Sequence, residues 1–272
     1  MRLIVRPPSA AFSRALSEHP DAGAIDVGRA VVQHAAFVAA LRDAGIEAVE
    51  LPPDPDCADA CFVSDVLFTL TRADDPGGPA ALLVAGRPGA ASRRPEVAAV
   101  AERARDLAPQ ARALEIVAPG AIDFGDVIVY GDRVAIGVSA RTNREGARQL
   151  AAAAATAGYR AYLCPVTDRL HLATGITVLR PGRLIGTAAG FASLDDAGVE
   201  VAPAADVERL LLPDNELVGA NVLAVGGHCF APAGNPVAVS LMRAAGETVV
   251  ELDLSEFTLA DGGPTCLVTH VW

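Results

Sequence analysis

The sequence predicts an α/β protein, a five-bladed α/β propeller closed into a ring as a single domain over residues 1–272. Three observations carry that expectation. First, three stretches align on one another: FGDVIVYGDRVAIGVS from Phe124, ATGITVLRPGRLIGTA from Ala173 and GANVLAVGGHCFAPAG from Gly219. Each is a β-rich run, a glycine-containing turn and a second β-rich run, the pattern of a hairpin. Second, they recur roughly fifty residues apart, the interval at which repeated blades are suspected. Third, each is followed by a helical or mixed segment and then an apolar strand, with no long Ser- or Pro-rich linker. A ring of such modules pairs its sheets without leaving long open edges. The plainer alternative, a two-layered α/β domain, does not require a repeat.

The elements follow in order. RLIVRPP at the start reads as a strand, expected to pair with the terminal PTCLVTHVW and so close the ring, with Trp272 packing near the closure. In DVGRAVVQHAAFVAALRDAGIEAVELP, Asp26 is placed to cap a helix; Ala30, Phe37, Leu41 and Ala44 fall on one face of it. Gly45 ends that helix and EAVELP is the strand after it; His34, mid-helix, reads as structural. CFVSDVLFTL and ALLVAGRP form a hairpin, RRPEVAAVAERARDL the next helix and ALEIVAP its strand, with Ser92–Arg94 a solvated helix start. After the first aligned hairpin, the alanine-rich body of NREGARQLAAAAATAGYRAYLCPV favours helix and Gly158 stops it. NPVAVSLMRAAGETVVELDL repeats helix, glycine and strand after the third.

Composition narrows the function. With 51% hydrophobic and 20% charged residues the chain can bury a generous core. A net charge of -11 argues against a nucleic-acid surface, which needs clustered Lys and Arg. Apolar runs are too short and broken for a membrane span, and MRLIVRPP lacks the layout of a signal peptide. Five scattered cysteines, an odd number, make a poor disulfide framework and point to a reducing cytoplasm. Cys57 and Cys61 are four apart but lack a second pair to complete a zinc site, so no metal is expected. In GGHC, His228 and Cys229 point to opposite faces of a strand and do not share a metal either.

Four reactive side chains stand at corresponding points of the modules. Asp123 precedes FGDV, His171 precedes LATGITV, Asp65 lies inside FVSDVLF, and Cys266 lies inside GGPTCLV. Singly, each has a bland reading: a turn-forming aspartate, a structural histidine, a small apolar cysteine. In a closed ring, equivalent ends of successive modules face one axis, and the four meet in one pocket. A cysteine and a histidine there supply a nucleophile and a proton carrier. Two carboxylates suit a planar guanidinium through forked, charge-assisted hydrogen bonds. A bound cation would in turn favour the thiolate.

The same residues resemble the dimethylarginine dimethylaminohydrolase family, of the guanidino-group-modifying superfamily with the pentein fold. The markers run along nearly the whole chain: RPP, QHAAFVAALRDAGIEAVELPPD, FVSD, GRPGAASRRPEV, SARTNREGA, LHL and ELDLSEF…DGGPTC. The resemblance implies Cys266 as nucleophile, His171 as general acid/base, Asp123 as orienting carboxylate and Asp65 as guanidinium-binding aspartate. It further implies that Arg87 and Arg141 hold a substrate α-carboxylate. Asp59, Leu16 in a lid loop, and the backbone carbonyl of Ala260 would contact the α-amino end. Ser64 stands where the family has a pocket glutamate, Asp123 is one methylene shorter than the usual glutamate, and Phe124 follows it where a glycine is common. The implied activity is hydrolysis of an Nω-methylated arginine to citrulline without a cofactor. Its partner is thus a small cationic arginine derivative, and a homodimer is compatible with the sequence. Arginine deiminase-like hydrolysis, or hydrolysis of another ω-substituted arginine given Ser64, is a rival on the same scaffold. A non-catalytic binding protein is a second, and a Cys266 thiol of low pKa is expected to separate the enzyme from it.

Overall fold

The computed structural model describes residues 2–196 and 207–271. Among these, β-rich runs interrupted by turn residues form fifteen short strands. They are β1 (Arg2–Val5), β2 (Glu47–Glu50), β3 (Leu67–Leu70), β4 (Leu82–Ala85), β5 (Arg112–Glu115), β6 (Val127–Tyr130), β7 (Arg133–Val138) and β8 (Arg160–Pro165). The second half of the ring adds β9 (Ile176–Arg180), β10 (Arg183–Thr187), β11 (Glu208–Leu212), β12 (Leu223–Val225), β13 (His228–Pro232), β14 (Thr248–Leu252) and β15 (Thr269–Val271). They assemble as five three-stranded sheets: β15-β1-β2, β3-β4-β5, β6-β7-β8, β9-β10-β11 and β12-β13-β14, blades 1 to 5.

Every blade follows one plan. The middle strand pairs antiparallel with its hairpin partner and parallel with the strand that follows the next stretch of chain. Parallel pairing needs a long crossover, and each crossover carries a helix. These are α1 (Val27–Asp43), α2 (Val97–Leu107), α3 (Arg144–Thr156), α4 (Ala188–Asp196) and α5 (Pro236–Ala244); the short α6 (Ser255–Thr258) precedes β15. Asp26 caps α1 by accepting from Arg29 N at 3.0 Å, and Asn143 caps α3 by accepting from Gly146 N at 2.8 Å. Gly45 and Gly158 leave α1 and α3 with φ of 76° and 91°, the left-handed backbone that favours glycine. Ala30, Phe37 and Leu41 are fully buried.

The apolar residues settle into five cores, each shared by two successive blades. Ile4 and Val271 of blade 1 pack with Leu67 and Leu83 of blade 2. Leu82 and Val84 pack with Val134 and Ile136, Ile128 and Ala135 with Ile176 and Leu184, and Leu179 and Ile185 with Cys229 and Ala231. Leu223 and Phe230 of blade 5 then meet Leu3 and Val5 of blade 1, under Phe37 and Phe257. The fifth core closes the ring. Apolar packing therefore holds neighbour to neighbour and leaves the hub free for polar side chains. No helix among the described residues is long and apolar enough to cross a membrane.

Two local expectations are corrected. Asp65 is not inside a strand but ends a 310 turn, Val63–Asp65, ahead of β3. The helix expected from Arg93 opens instead with a 310 segment, Ala91–Glu96, before α2. Pro95 lacks an N–H and disfavours α geometry in the residue before it. Trp272, expected near the ring closure, lies outside the described residues.

Candidate active site

Each blade delivers one polar side chain from the turn just before its first hairpin strand. Asp65 closes the 310 turn before β3. Asp123 precedes the 310 turn Phe124–Asp126 that feeds β6, and His171 precedes the turn Leu172–Thr174 that feeds β9. Cys266 sits in a turn ahead of β15, its N–H donating to Gly263 O at 3.0 Å. The corresponding position of blade 5, after the 310 segment Asp214–Ala220 and before β12, holds Asn221.

Cys266, His171, Asp123 and Asp65 line one cleft of about 360 Å3, counted with its open mouth. Asp59, Arg141, Leu16 and Ala260 line it too. Eight of the ten residues singled out from the sequence thus meet in one place.

The electrostatics are those of a cation site. His171 Nε2 lies 3.5 Å from Asp123 Oδ2. Burial opposes the imidazolium, but Asp123, Asp65 and Asp126 outweigh it and hold His171 above the usual histidine range. Burial likewise opposes the Asp123 carboxylate, and His171 outweighs it, drawing the carboxyl down. Three buried polar atoms here have no hydrogen-bond partner: Asp65 Oδ1, Asp123 Oδ2 and His171 Nε2. Buried polar atoms are normally satisfied, so three lining one cleft mark it as a candidate binding surface. Gly125 makes room for it: a Cβ there would stand 2.7 Å from His171 Nδ1 and 3.1 Å from Asp65 Oδ1. Burial and the neighbouring Asp65 push the Cys266 thiol up.

Arg87 and Ser64 do not line the cleft. Arg87 spends its guanidinium on Gly120 O, at 2.9 Å, tying β4 to the loop before β6. Ser64 turns its backbone, not its side chain, to the site: its N–H donates to Cys266 O at 3.3 Å. Adjacent residues of a tight turn point to different sides, so Asp65 faces in and Ser64 does not. Phe124 stacks on Phe68, ring centroids 5.4 Å apart, and packs outside the cleft.

A second arginine lines the cleft beside Arg141: Arg93, taken from the sequence as part of a solvated helix start. It is only 4% exposed. Its guanidinium donates to Asp65 Oδ2 at 2.6 Å, Glu96 Oε2 at 2.9 Å, and the carbonyls of Asp59 and Phe62 at 3.2 Å. Burial disfavours its charge, but Asp65 and Glu96 more than restore it. The 310 phase turns Arg93 inward and leaves Ser92 and Arg94 exposed. The sequence signal was Glu96, three residues on, where it can pair with the same arginine.

The loop at residues 16–18 is tied to two acids of the cleft. Leu16 N donates to Asp59 Oδ1 at 3.0 Å. Glu18 N and Ser17 Oγ donate to Asp261 Oδ2 at 2.6 and 3.0 Å. No cluster of potential metal ligands occurs among the described residues.

Comparison with known proteins places relatives beside this geometry. No protein-family model matches the chain. It is 32% identical over 266 residues to the N(G),N(G)-dimethylarginine dimethylaminohydrolase of Pseudomonas aeruginosa, covering 97% of each chain. It is 34% identical over 270 residues to the protein of the same name from Streptomyces coelicolor, covering 98% of this chain and 95% of that one. A solved structure of a cysteine-to-serine mutant of the Pseudomonas protein complexed with citrulline superposes with a TM-score of 0.88, 30% identity and 98% coverage of each chain. A cyanobacterial arginine dihydrolase domain shares the fold at a TM-score of 0.82 and 17% identity.

Proposed function

The chain belongs to the dimethylarginine dimethylaminohydrolase family, and we propose that the cleft hydrolyses an Nω-methylated arginine to citrulline and methylamine or dimethylamine. It is a hydrolase of guanidino C–N bonds on a pentein scaffold. The observation that carries the substrate assignment is the pair of buried carboxylate oxygens without a hydrogen bond, Asp65 Oδ1 and Asp123 Oδ2, the latter 3.5 Å from His171 Nε2, in the cleft that Cys266 also lines. They present acceptors to a planar cation.

In the proposed reaction, the substrate guanidinium lies against Asp65 and Asp123. Arg93 already holds Asp65 Oδ2, so Oδ1 is the oxygen left for the ligand. Arg141 takes the α-carboxylate, with Arg93 rather than Arg87 as the second cation of the cleft. Asp59, the Ala260 carbonyl and the lid at Leu16 take the α-amino end. The incoming positive charge offsets the effect of Asp65 on the thiol and favours its ionisation. The thiolate attacks the central carbon. His171 protonates the departing amine, the C–N bond breaks, and a thiouronium remains on Cys266. His171 then takes a proton from water; the hydroxyl adds to the same carbon, the C–S bond breaks and citrulline leaves. No cofactor enters these steps. Residues 1–272 are read as one catalytic domain, and five unpaired cysteines fit a reducing cytoplasm.

Citrulline formation from arginine, monomethylarginine and asymmetric dimethylarginine tests the reading, with mass analysis of Cys266 after brief exposure to each. Turnover of a methylated arginine with a transient adduct on Cys266 is expected. Faster turnover of arginine would move the assignment to a deiminase, and no adduct with any of the three would end it.

A further inference from the structure

We infer that Asn221 is a fifth catalytic residue, the hydrogen-bond donor that blade 5 aims at the Cys266 sulfur to favour its thiolate form. The inference rests on Cys266 being the nucleophile. Four blades supply Asp65, Asp123, His171 and Cys266 from the turn before their first hairpin strand, and Asn221 holds that position in the fifth.

The amide is fixed by its neighbours. Its Oδ1 accepts from Thr265 N at 3.1 Å and Thr265 Oγ1 at 2.7 Å. Reversing the amide would set donor against donor at Thr265 N. Nδ2 is therefore the atom that faces Cys266 Sγ, at 3.6 Å. Thr265 Oγ1 lies 3.9 Å from the same sulfur but is already given to Asn221. Gly263 is the residue that permits this approach, since a Cβ on it would come within 2.5–2.8 Å of the Asn221 amide.

A thiol sulfur is a weak acceptor, whereas a thiolate is a charged one, and hydrogen bonds to charge are markedly stronger. An N–H aimed at sulfur therefore stabilises the anion over the neutral form. Burial and Asp65 work against that anion, while the Asn221 hydrogen bond works for it. The substrate cation is present only when bound; Asn221 is a permanent contribution in the same direction, and it persists when the sulfur leaves as thiolate in the second half of the reaction.

A second role, tying down the turn that carries Cys266, is separable by experiment. Asn221→Asp keeps the acceptor for Thr265 and the size of the side chain but replaces the donor with an acid. Asn221→Ala removes both. The probe is iodoacetamide, with Cys266 alkylation followed by peptide mass from pH 6 to 11; Cys266→Ser supplies the blank, and the other four cysteines are buried. Losing a hydrogen bond to a charged group is expected to move the alkylation midpoint up by about one pH unit in Asn221→Ala, and further in Asn221→Asp. With a methylated arginine, kcat should fall about tenfold in both variants while KM stays near its original value. An unchanged midpoint in two folded variants would overturn the assignment, as would a loss confined to thermal stability. If the intact protein turns over no guanidine yet the midpoints shift, the proposed reaction fails and the role of Asn221 toward the sulfur stands.

Discussion

Two buried histidines show how differently the hub and the outer core treat the same side chain. His34 sits on α1 against Phe37 and Phe257, and burial pushes its imidazole down to about 4. His171 is also buried, yet it stands above the usual histidine range because Asp123, Asp65 and Asp126 surround it. Burial alone makes histidine a neutral core residue; burial among carboxylates makes it a proton carrier. Asp123 and Asp126 repeat the lesson within one turn. Both are fully buried. Asp126 spends its oxygens on Leu172 N at 2.9 Å and Ser139 Oγ at 2.6 Å, and burial pushes its carboxyl up. Asp123 gives Oδ1 to Gly89 N and keeps Oδ2 free of hydrogen bonds. The satisfied acid builds the wall, and the under-satisfied one faces the ligand.

That contrast can be broken by substitution. The largest effect belongs to Cys266→Ser, where turnover should drop by about 10^4-fold with the melting temperature nearly unchanged. Asp123→Asn should cost roughly 10^2–10^3-fold in kcat/KM and lower the pH at which His171 titrates by NMR; a histidine that titrates as before would detach the pair. His34 predicts a pH effect on stability. Its folded value lies below its unfolded one, so the unfolded chain binds the proton first. The stability it preserves is complete above about pH 6.5 and is lost as pH falls toward 4, amounting to about 3 kcal/mol. Denaturant titrations should show His34→Leu flattening that slope. His171 has the opposite sign, its contribution being lost as pH rises through its folded value. Asp126→Asn should cost about 1–3 kcal/mol, because a buried network loses an acceptor. Smallest is Arg141→Ala: a KM raised about tenfold with kcat largely kept, since docking lies away from the bond broken.

The five-bladed plan was legible because hairpin, helix and strand recur in order, and the end-to-end strand pairing was legible because a ring has to close. Cys266, His171, Asp123 and Asp65 were legible because a reactive or charged residue recurred before each hairpin. Asn221 stood in the same aligned stretch as GAN, but a neutral amide two residues after a glycine reads as a turn-former. Arg93 and Arg94 differ in sequence only in that Glu96 stands three residues after the first, and the phase of a 310 turn buries that one and exposes the other. Arg87 lies outside the lining of the cleft, with one guanidinium nitrogen donating to the Gly120 carbonyl of a distant loop. Ser64 was placed at the pocket because it stands where the family has a pocket glutamate, and consecutive residues of a turn do not share a face.

Blade 1 differs from the other four in its thread. They are each cut from continuous chain, whereas β15 is stitched to β1 across almost the entire sequence. Cys266, the proposed nucleophile, sits in the turn just ahead of that stitch. A chain that has not come full circle can own a folded histidine and folded acids but no sulfur among them, so reactivity is withheld until the ring is sealed. Peeling the seam apart by local opening would disarm the protein before it unfolded it.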